Sequence, residues 1–85
     1  MKTFNFVVKD ELGIHARPAG LISKEAKKFE STIKITKGEK TVTASQLMML
    51  MSLGVRKGEE VIITVEGSDE NEAYAAIKTL FNSIL

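Results

Sequence analysis

The chain has 85 residues, a formal net charge of +1 and no cysteine. This length corresponds to one domain over residues 1–85, and the near-neutral charge gives no reason to expect a nucleic acid or a membrane surface as partner. Without cysteine and with a single histidine the chain offers neither thiol chemistry nor metal-ligand spacing, so we expect no metal and no other cofactor.

The sequence shows no targeting signal. No apolar run approaches the ~20 residues of a membrane-spanning helix, and residues 1–6 lead into no apolar segment of a secretion signal. We therefore expect a cytoplasmic protein that does not insert into membranes, and a monomer is the simplest expectation for its oligomeric state.

The N-terminal residues alternate in polarity, which predicts a half-buried strand over residues 3–9 with Phe4, Phe6 and Val8 on its apolar face. Over residues 16–29 the apolar period becomes helical. The apolar face of that predicted helix consists of Ala19, Ile22, Ala26 and Phe29.

Another face of the same helix is basic. It is either an ordinary solvated surface or a docking strip for acidic partner proteins, where its charge would speed association. Its residues are Arg17, Gly20, Lys24 and Lys27.

Two alternating segments, residues 32–36 and 40–44, predict an antiparallel β-hairpin that turns at Gly38. Their less polar positions, which we expect to face inward, are Ile33, Ile35, Val42 and Ala44.

The residues from 45 to 53 predict a short and almost wholly apolar helix that ends at Gly54. We expect Leu47 and Leu50 to face the core. The three methionines are either core filling or an adaptable apolar patch for several partners, because methionine repacks easily. They are Met48, Met49 and Met51.

The β-branched run at residues 61–66 predicts a strand in the centre of the sheet, and Asp69 with Glu72 fits a capping box at the start of a last helix. That helix has an apolar face of Ala73, Ile77, Leu80, Phe81 and Ile84. The order β-α-β-β-α-β-α predicts an α+β fold, an open-faced sandwich with three helices on one face of a four-stranded antiparallel sheet.

The only histidine, His15, and the only proline, Pro18, lie where the first strand pattern gives way to a helix, with Arg17 between them. A helix start has free N–H groups and favours an anion. Arg17 adds a cation suited to phosphate, and a neutral imidazole nitrogen can attack phosphorus. The alternative is a histidine that merely packs or lies on the surface. The combination favours a histidine that takes up and holds a phosphoryl group.

The stretch Gly13-Ile14-His15-Ala16-Arg17-Pro18-Ala19 resembles the active-site signature of the HPr family, the histidine-containing phosphocarriers of the bacterial sugar phosphotransferase system. A second stretch, Met48-Met49-Leu50-Met51-Ser52-Leu53-Gly54, resembles the second signature of the family at the matching distance. The resemblance covers essentially the whole chain and implies the same fold.

The resemblance implies that His15 accepts a phosphoryl group on Nδ1 from Enzyme I and passes it to IIA domains of sugar permeases. It also implies that backbone N–H groups of Ala16 and Arg17 bind the phosphate, and that the Arg17 side chain steadies it. Such a protein is a stoichiometric carrier and not an independent enzyme, and transcriptional regulators are additional candidate partners. The matching partner-binding positions are Gly20, Lys24, Lys27, Leu47, Met48 and Met51.

The chain departs from Gram-positive relatives at the regulatory serine before the apolar helix. That position here is Gln46, which cannot be phosphorylated, with Ser45 one place earlier. Ser45 is expected to be a helix N-cap, and a shifted phosphorylation site there is the less favoured alternative. Two other functions stay open: an HPr-like regulatory carrier in a nitrogen-related chain, and a binding module that carries no phosphate.

Overall fold

Four segments with alternating apolar residues form one antiparallel sheet in the order β1-β4-β2-β3. The computed structural model describes all 85 residues and places the three helices against this sheet. The predicted α+β open-faced sandwich is confirmed. The elements are β1 (Lys2–Val7), α1 (Ala16–Ala26), β2 (Thr32–Lys37), β3 (Lys40–Thr43), α2 (Leu47–Ser52), β4 (Glu60–Glu66) and α3 (Glu70–Ile84).

Strand β4 lies inside the sheet, as its β-branched composition predicts. It pairs with β1 on one side and with β2 on the other, so that Ile63 lies opposite both Phe4 and Ile35. Its alternate residues Val61, Ile63 and Val65 are fully buried under the helices. Ile62 points to the open face and keeps 38% of its surface exposed. The period of two along β4 therefore separates the core from the solvent-facing side of the sheet.

One hydrophobic core fills the space between sheet and helices. Phe81 of α3 is fully buried at its centre. The Phe81 ring packs edge-to-face on Phe4 at 5.9 Å and on Phe6 at 5.5 Å, a geometry that aromatic pairs favour. On the predicted apolar faces of α1 and α3, the residues that are also fully buried or nearly so are Ala19, Ile22, Ala26, Ala73 and Ile77.

Helix α1 ends at Ala26, three residues before the predicted end at Phe29. The residues after Ala26 turn toward β2, and Phe29 reaches the core as a half-buried side chain outside the helix. The periodic pattern continued through the turn because Phe29 packs against the same core. The prediction of the apolar face is confirmed, and only the predicted helix boundary is wrong.

Asp69 precedes α3, but its side chain does not cap that helix. The predicted capping box with Glu72 is wrong. The Asp69 carboxylate instead accepts hydrogen bonds from the backbone N–H groups of Glu30 and Ser31, both at 2.9 Å, and from the Ser31 hydroxyl. These donors hold the pKa of Asp69 below its usual value, with the Ser31 hydroxyl as the largest cause. The carboxylate thereby ties the loop after α1 to the start of α3.

Helix α2 has only six residues, so a single side of it can be enclosed by the core. Leu50 is fully buried, whereas Leu47 is 40% exposed, which corrects the prediction that both face inward. Leu47 is the first residue of the helix and lies one turn before the enclosed part. Lysines of the β2–β3 hairpin hold the other end: Lys37 donates to the carbonyl of Gly54 at 2.9 Å, and Lys40 donates to that of Ser52 at 3.0 Å.

A first prediction compares two apolar residues of α2. Leu50→Ala leaves a cavity in the core and is expected to lower the free energy of unfolding by about 2–5 kcal/mol. Met48→Ala removes a side chain that is 75% exposed and is expected to change it by less than about 0.5 kcal/mol. Urea unfolding followed by circular dichroism measures both values. Equal losses in the two variants would contradict the orientation of α2.

A second prediction concerns acid unfolding. The pKa of Asp69 is lowered in the folded state, so its contribution to stability is full at neutral pH and is lost as the pH falls through the folded-state pKa. Asp69→Ala is expected to lower the thermal midpoint by several degrees at pH 7. Because the wild type loses the same contribution in acid, the difference should shrink below about pH 4. A difference that stays constant from pH 7 to pH 3 would refute this assignment.

Candidate functional site

His15 is the residue from which α1 starts. Its backbone is extended, with φ −102° and ψ −172°, while its carbonyl already accepts the N–H of Ala19 at 2.9 Å. This is the backbone geometry of a helix N-cap, although the imidazole caps nothing. The imidazole is therefore free of the helix backbone, and its side chain is 34% exposed beside the first turn.

The loop before His15 is held against the segment before β4. The N–H of Ile14 donates to the carbonyl of Val55 at 3.0 Å, and Ile14 is buried. Gly13 has φ +68°, and a Cβ atom at this position would lie 2.1 Å from the carbonyl oxygen of Val55. Only glycine fits both the backbone angle and the space. The glycine of the motif therefore allows the close approach that fixes where His15 sits.

Unpaired donors surround the imidazole. The backbone N–H groups of Ala16 and Arg17 donate to no backbone or side-chain acceptor, and Pro18 has no N–H. Both residues are exposed, and the Arg17 guanidinium forms no ion pair within the chain. The start of α1 thus offers two free N–H groups and a cation next to a histidine, which is an arrangement suited to a phosphate.

A partly open surface pocket of about 290 Å³ lies at this point. Its apolar wall is formed by α1 and the end of α3, and its polar wall contains the carboxylate of Asp10, 3.6 Å from Nε2 of His15. Arg17, which also lines the pocket, is exposed to solvent. The residues that line it are Asp10, His15, Arg17, Pro18, Leu21 and Ile84.

Two members of this pocket were not found from the sequence. Asp10 lies in the turn after the first strand, where an acidic residue is usually ordinary surface charge. Leu21 is 41% exposed and does not belong to the apolar face of α1 that the sequence pattern marks. A single exposed leucine is common on protein surfaces and predicts nothing by itself. The available signal was the position of Leu21, four residues after Arg17 and outside the apolar face of α1.

The predicted partner-binding residues lie on two neighbouring helices. Lys24 and Lys27 are exposed on α1, and Gly20 faces open space, with nothing within 4 Å of a Cβ built there. Helix α2 packs beside α1, and its exposed apolar residues form what we call the α2 patch. The α2 patch consists of Leu47 (40% exposed), Met48 (75%), Met49 (42%) and Met51 (39%).

Gln46 and Ser45 lie where α1 and α2 meet. The N-cap of α2 is Gln46 and not Ser45, so the prediction of a Ser45 cap is wrong. Strand β3 ends at Thr43, and Ala44, whose N–H donates to the carbonyl of Ile33 at 2.8 Å, forms a turn with Ser45 before the helix begins at Leu47. Ser45 is half-buried, and its carbonyl accepts the hydroxyl of Ser23 at 2.8 Å.

The structure contains no cluster of three or more histidine, aspartate or glutamate side chains that could hold a metal ion. None of its helices combines the length and the apolar character that crossing a membrane requires.

Comparison with known proteins gives a consistent result. The family model described as "PTS HPr component phosphorylation site" matches residues 2–83. The phosphocarrier protein HPr of Mycoplasma genitalium is 44% identical over 79 residues, which cover 92% of this chain and 90% of the relative.

Two solved structures extend the comparison. A mycoplasma histidine-containing phosphocarrier protein superposes with a TM-score of 0.94 at 35% identity, over 96% of this chain and 93% of the other. An HPr dimer from Thermoanaerobacter tengcongensis superposes with a TM-score of 0.77 at 43% identity, over 98% and 95% of the two chains. Sequence, fold and family model agree that the chain belongs to the HPr family, the phosphocarrier proteins of the phosphotransferase system.

Proposed function

We propose that His15 is the phosphoryl acceptor of this phosphocarrier, that phosphorylated Enzyme I is the donor, and that IIA domains of sugar permeases are the acceptors. The observation that carries this proposal is the placement of His15. The only histidine of the chain stands at the start of α1 beside two unpaired N–H groups and an unpaired arginine. The membership in the HPr family supports the same assignment.

The transfer starts with a lone pair on Nδ1 of His15 attacking the phosphorus atom. The new N–P bond forms as the bond between phosphorus and the donor breaks, and the bonding pair leaves with the donor. The N–H groups of Ala16 and Arg17 and the Arg17 guanidinium then bind the phosphoryl oxygens. Each such exposed contact contributes on the order of 1 kcal/mol, which steadies the group without trapping it.

The openness of the site supports a carrier that has no turnover of its own. A phosphohistidine in a deep and dry pocket would be held by stronger electrostatic interactions and would be hard for an acceptor to reach. The pocket beside His15 is partly open to solvent, and a third of the His15 side chain is exposed. We therefore infer that the protein is a stoichiometric carrier and not an independent enzyme, working as one domain over residues 1–85.

The partners are proposed to dock on the exposed helix surfaces next to the site. The basic residues of α1 would contact acidic groups, and the α2 patch would supply an adaptable apolar surface. A monomer leaves the α2 patch free, so we propose that a cytoplasmic monomer is the working form, and transcriptional regulators could use the same surface. The proposed contact residues are Gly20, Lys24, Lys27, Leu47, Met48 and Met51.

The residue at the position of the family's regulatory serine, Gln46, supports a carrier that is not controlled by serine phosphorylation. Gln46 is exposed, but an amide cannot be phosphorylated. Ser45 is half-buried, and its backbone is held by Ser23. We therefore propose that phosphorylation is confined to His15.

The third prediction tests the acceptor. The protein is mixed with phosphoenolpyruvate, magnesium and a bacterial Enzyme I, and its intact mass is recorded beside that of His15→Ala. We expect one added phosphate on the wild type, lost in mild acid, and none on the variant. An unmodified wild type, or a variant that still gains an acid-labile phosphate, would refute the role of His15.

The fourth prediction tests Arg17. Arg17→Ala is expected to slow phosphoryl transfer by roughly tenfold, because it removes a charge-assisted contact to phosphate worth about 1.5 kcal/mol. The thermal midpoint should stay unchanged, because the side chain is exposed and unpaired. Arg56→Ala is the matched control, since Arg56 is also exposed and its side chain forms no ion pair. Equal slowing in both variants, or a large loss of stability in Arg17→Ala, would exclude the proposed role.

A further inference from the structure

We propose that Asp10 is a positioning residue for His15. Its carboxylate would hold the imidazole proton on Nε2, so that Nδ1 presents its lone pair to phosphorus. The same carboxylate would then stabilise the positive charge that the ring acquires during transfer. This inference rests on the proposed function of His15 and adds a residue from outside the motif around it.

The geometry of the pair carries the proposal. Oδ1 of Asp10 lies 3.6 Å from Nε2 of His15, and about a third of each side chain is exposed. This distance is within the range of a charge contact and slightly longer than an N–H···O hydrogen bond. Such bonds are often long in a free protein and shorten when the reacting group is bound. The ring nitrogen that faces the Asp10 carboxylate is Nε2, which leaves Nδ1, the atom that the family resemblance implies, free to attack.

The carboxylate of Asp10 is fixed by its own loop. Oδ1 accepts the N–H of Leu12 at 2.8 Å, and the carbonyl of Asp10 accepts the N–H of Gly13 at 3.0 Å. The N–H of Asp10 donates to the main-chain oxygen of Leu85 at 2.8 Å. The first bond fixes the carboxylate and the other two fix the Asp10 backbone before any partner binds. The hydrogen bond on one imidazole nitrogen decides which tautomer the ring adopts. A fixed acceptor beside Nε2 therefore favours the tautomer that is protonated on Nε2.

The other acidic side chain of the loop does not compete for this role. The neighbouring acid, Glu11, is paired with Lys57 at 2.7 Å. Among the residues that line the pocket, the only charged side chains apart from the imidazole are those of Asp10 and Arg17. The arginine is suited to the phosphoryl oxygens and the carboxylate to the ring. The pocket thus presents a cation to the incoming group and an anion to the nucleophile.

The transfer step is balanced with the proton kept on Nε2. Nδ1 donates its pair to phosphorus, the N–P bond forms, and the bond from phosphorus to the donor breaks with its pair going to the donor. The ring gains a positive charge, and the N–H at Nε2 faces the negative charge of Asp10. When an acceptor takes the phosphoryl group, the pair returns to Nδ1 and the ring becomes neutral again. No proton leaves the imidazole in either direction.

The test compares Asp10→Ala with Glu11→Ala in the full chain. Each substitution removes one carboxylate from the same loop, and Asp10→Ala removes Oδ1, the oxygen that faces Nε2 and that an asparagine would retain. Nitrogen-15 spectra of the neutral imidazole, recorded at about pH 9, report which ring nitrogen carries the proton. The phosphorylation rate is measured with phosphoenolpyruvate, magnesium and Enzyme I, and thermal unfolding verifies the fold.

We expect Asp10→Ala to raise the fraction of imidazole protonated on Nδ1 and to slow phosphorylation roughly two- to fivefold, the range for a partly exposed charge pair. Glu11→Ala should match the wild type in both. A wild-type tautomer ratio in Asp10→Ala, or equal slowing in the two variants, would overturn the role of Asp10. If the wild type gains no phosphate, the proposed function fails, whereas the tautomer spectra still decide between support and rejection of the positioning by Asp10.

Discussion

The site depends on one close approach between two backbone segments. The loop before α1 lies against the segment before β4 through the N–H of Ile14 and the carbonyl of Val55, and Gly13 makes room for it. Any side chain at Gly13 would push the segments apart, and His15 would move with them. The position of the His15 imidazole at the surface is therefore set by a backbone contact between Ile14 and Val55 that takes no part in the chemistry.

Stability and function occupy different faces of the same elements. Helix α1 buries Ala19, Ile22 and Ala26 against the sheet and presents Arg17 and Lys24 to solvent. The buried side provides the apolar area that stabilises the fold. The exposed side provides charges and donors that add little to stability, because solvent screens them. A partner can therefore approach the site without disturbing the core.

Most of the fold could be predicted because its signals are periodic. Alternation along β4 and the helical repeats of α1 and α3 each identify a buried face, and the core contains nearly all of the predicted residues. Helix α2 was harder to interpret, because a six-residue segment with apolar residues all round has no polar face to define its orientation. Its Leu47 was therefore assigned to the core but lies at the surface.

The reactive part of the site was predictable from a contiguous motif, whereas its surroundings were not. His15 and Arg17 are adjacent to the helix start in sequence as well as in space. The contact of Asp10 with the ring and that of Asp69 with Ser31 depend on how loops fold back. The N-cap of α2 showed the same limit, because Ser45 lies in a turn with Ala44 and the helix begins only after Gln46. Side-chain contacts across loops leave no period in the sequence.

The position of β1 at the edge of the sheet has a consequence for folding during synthesis. The only partner of β1 is β4, so Phe4 cannot pair until Ile63, 59 residues later in the chain, has been synthesised. Pairing over such a separation is slow, since a large loop must close first. On the ribosome the first strand therefore emerges long before its partner and keeps its aromatic side chains uncovered. The sheet can therefore be completed only after β4 has been synthesised.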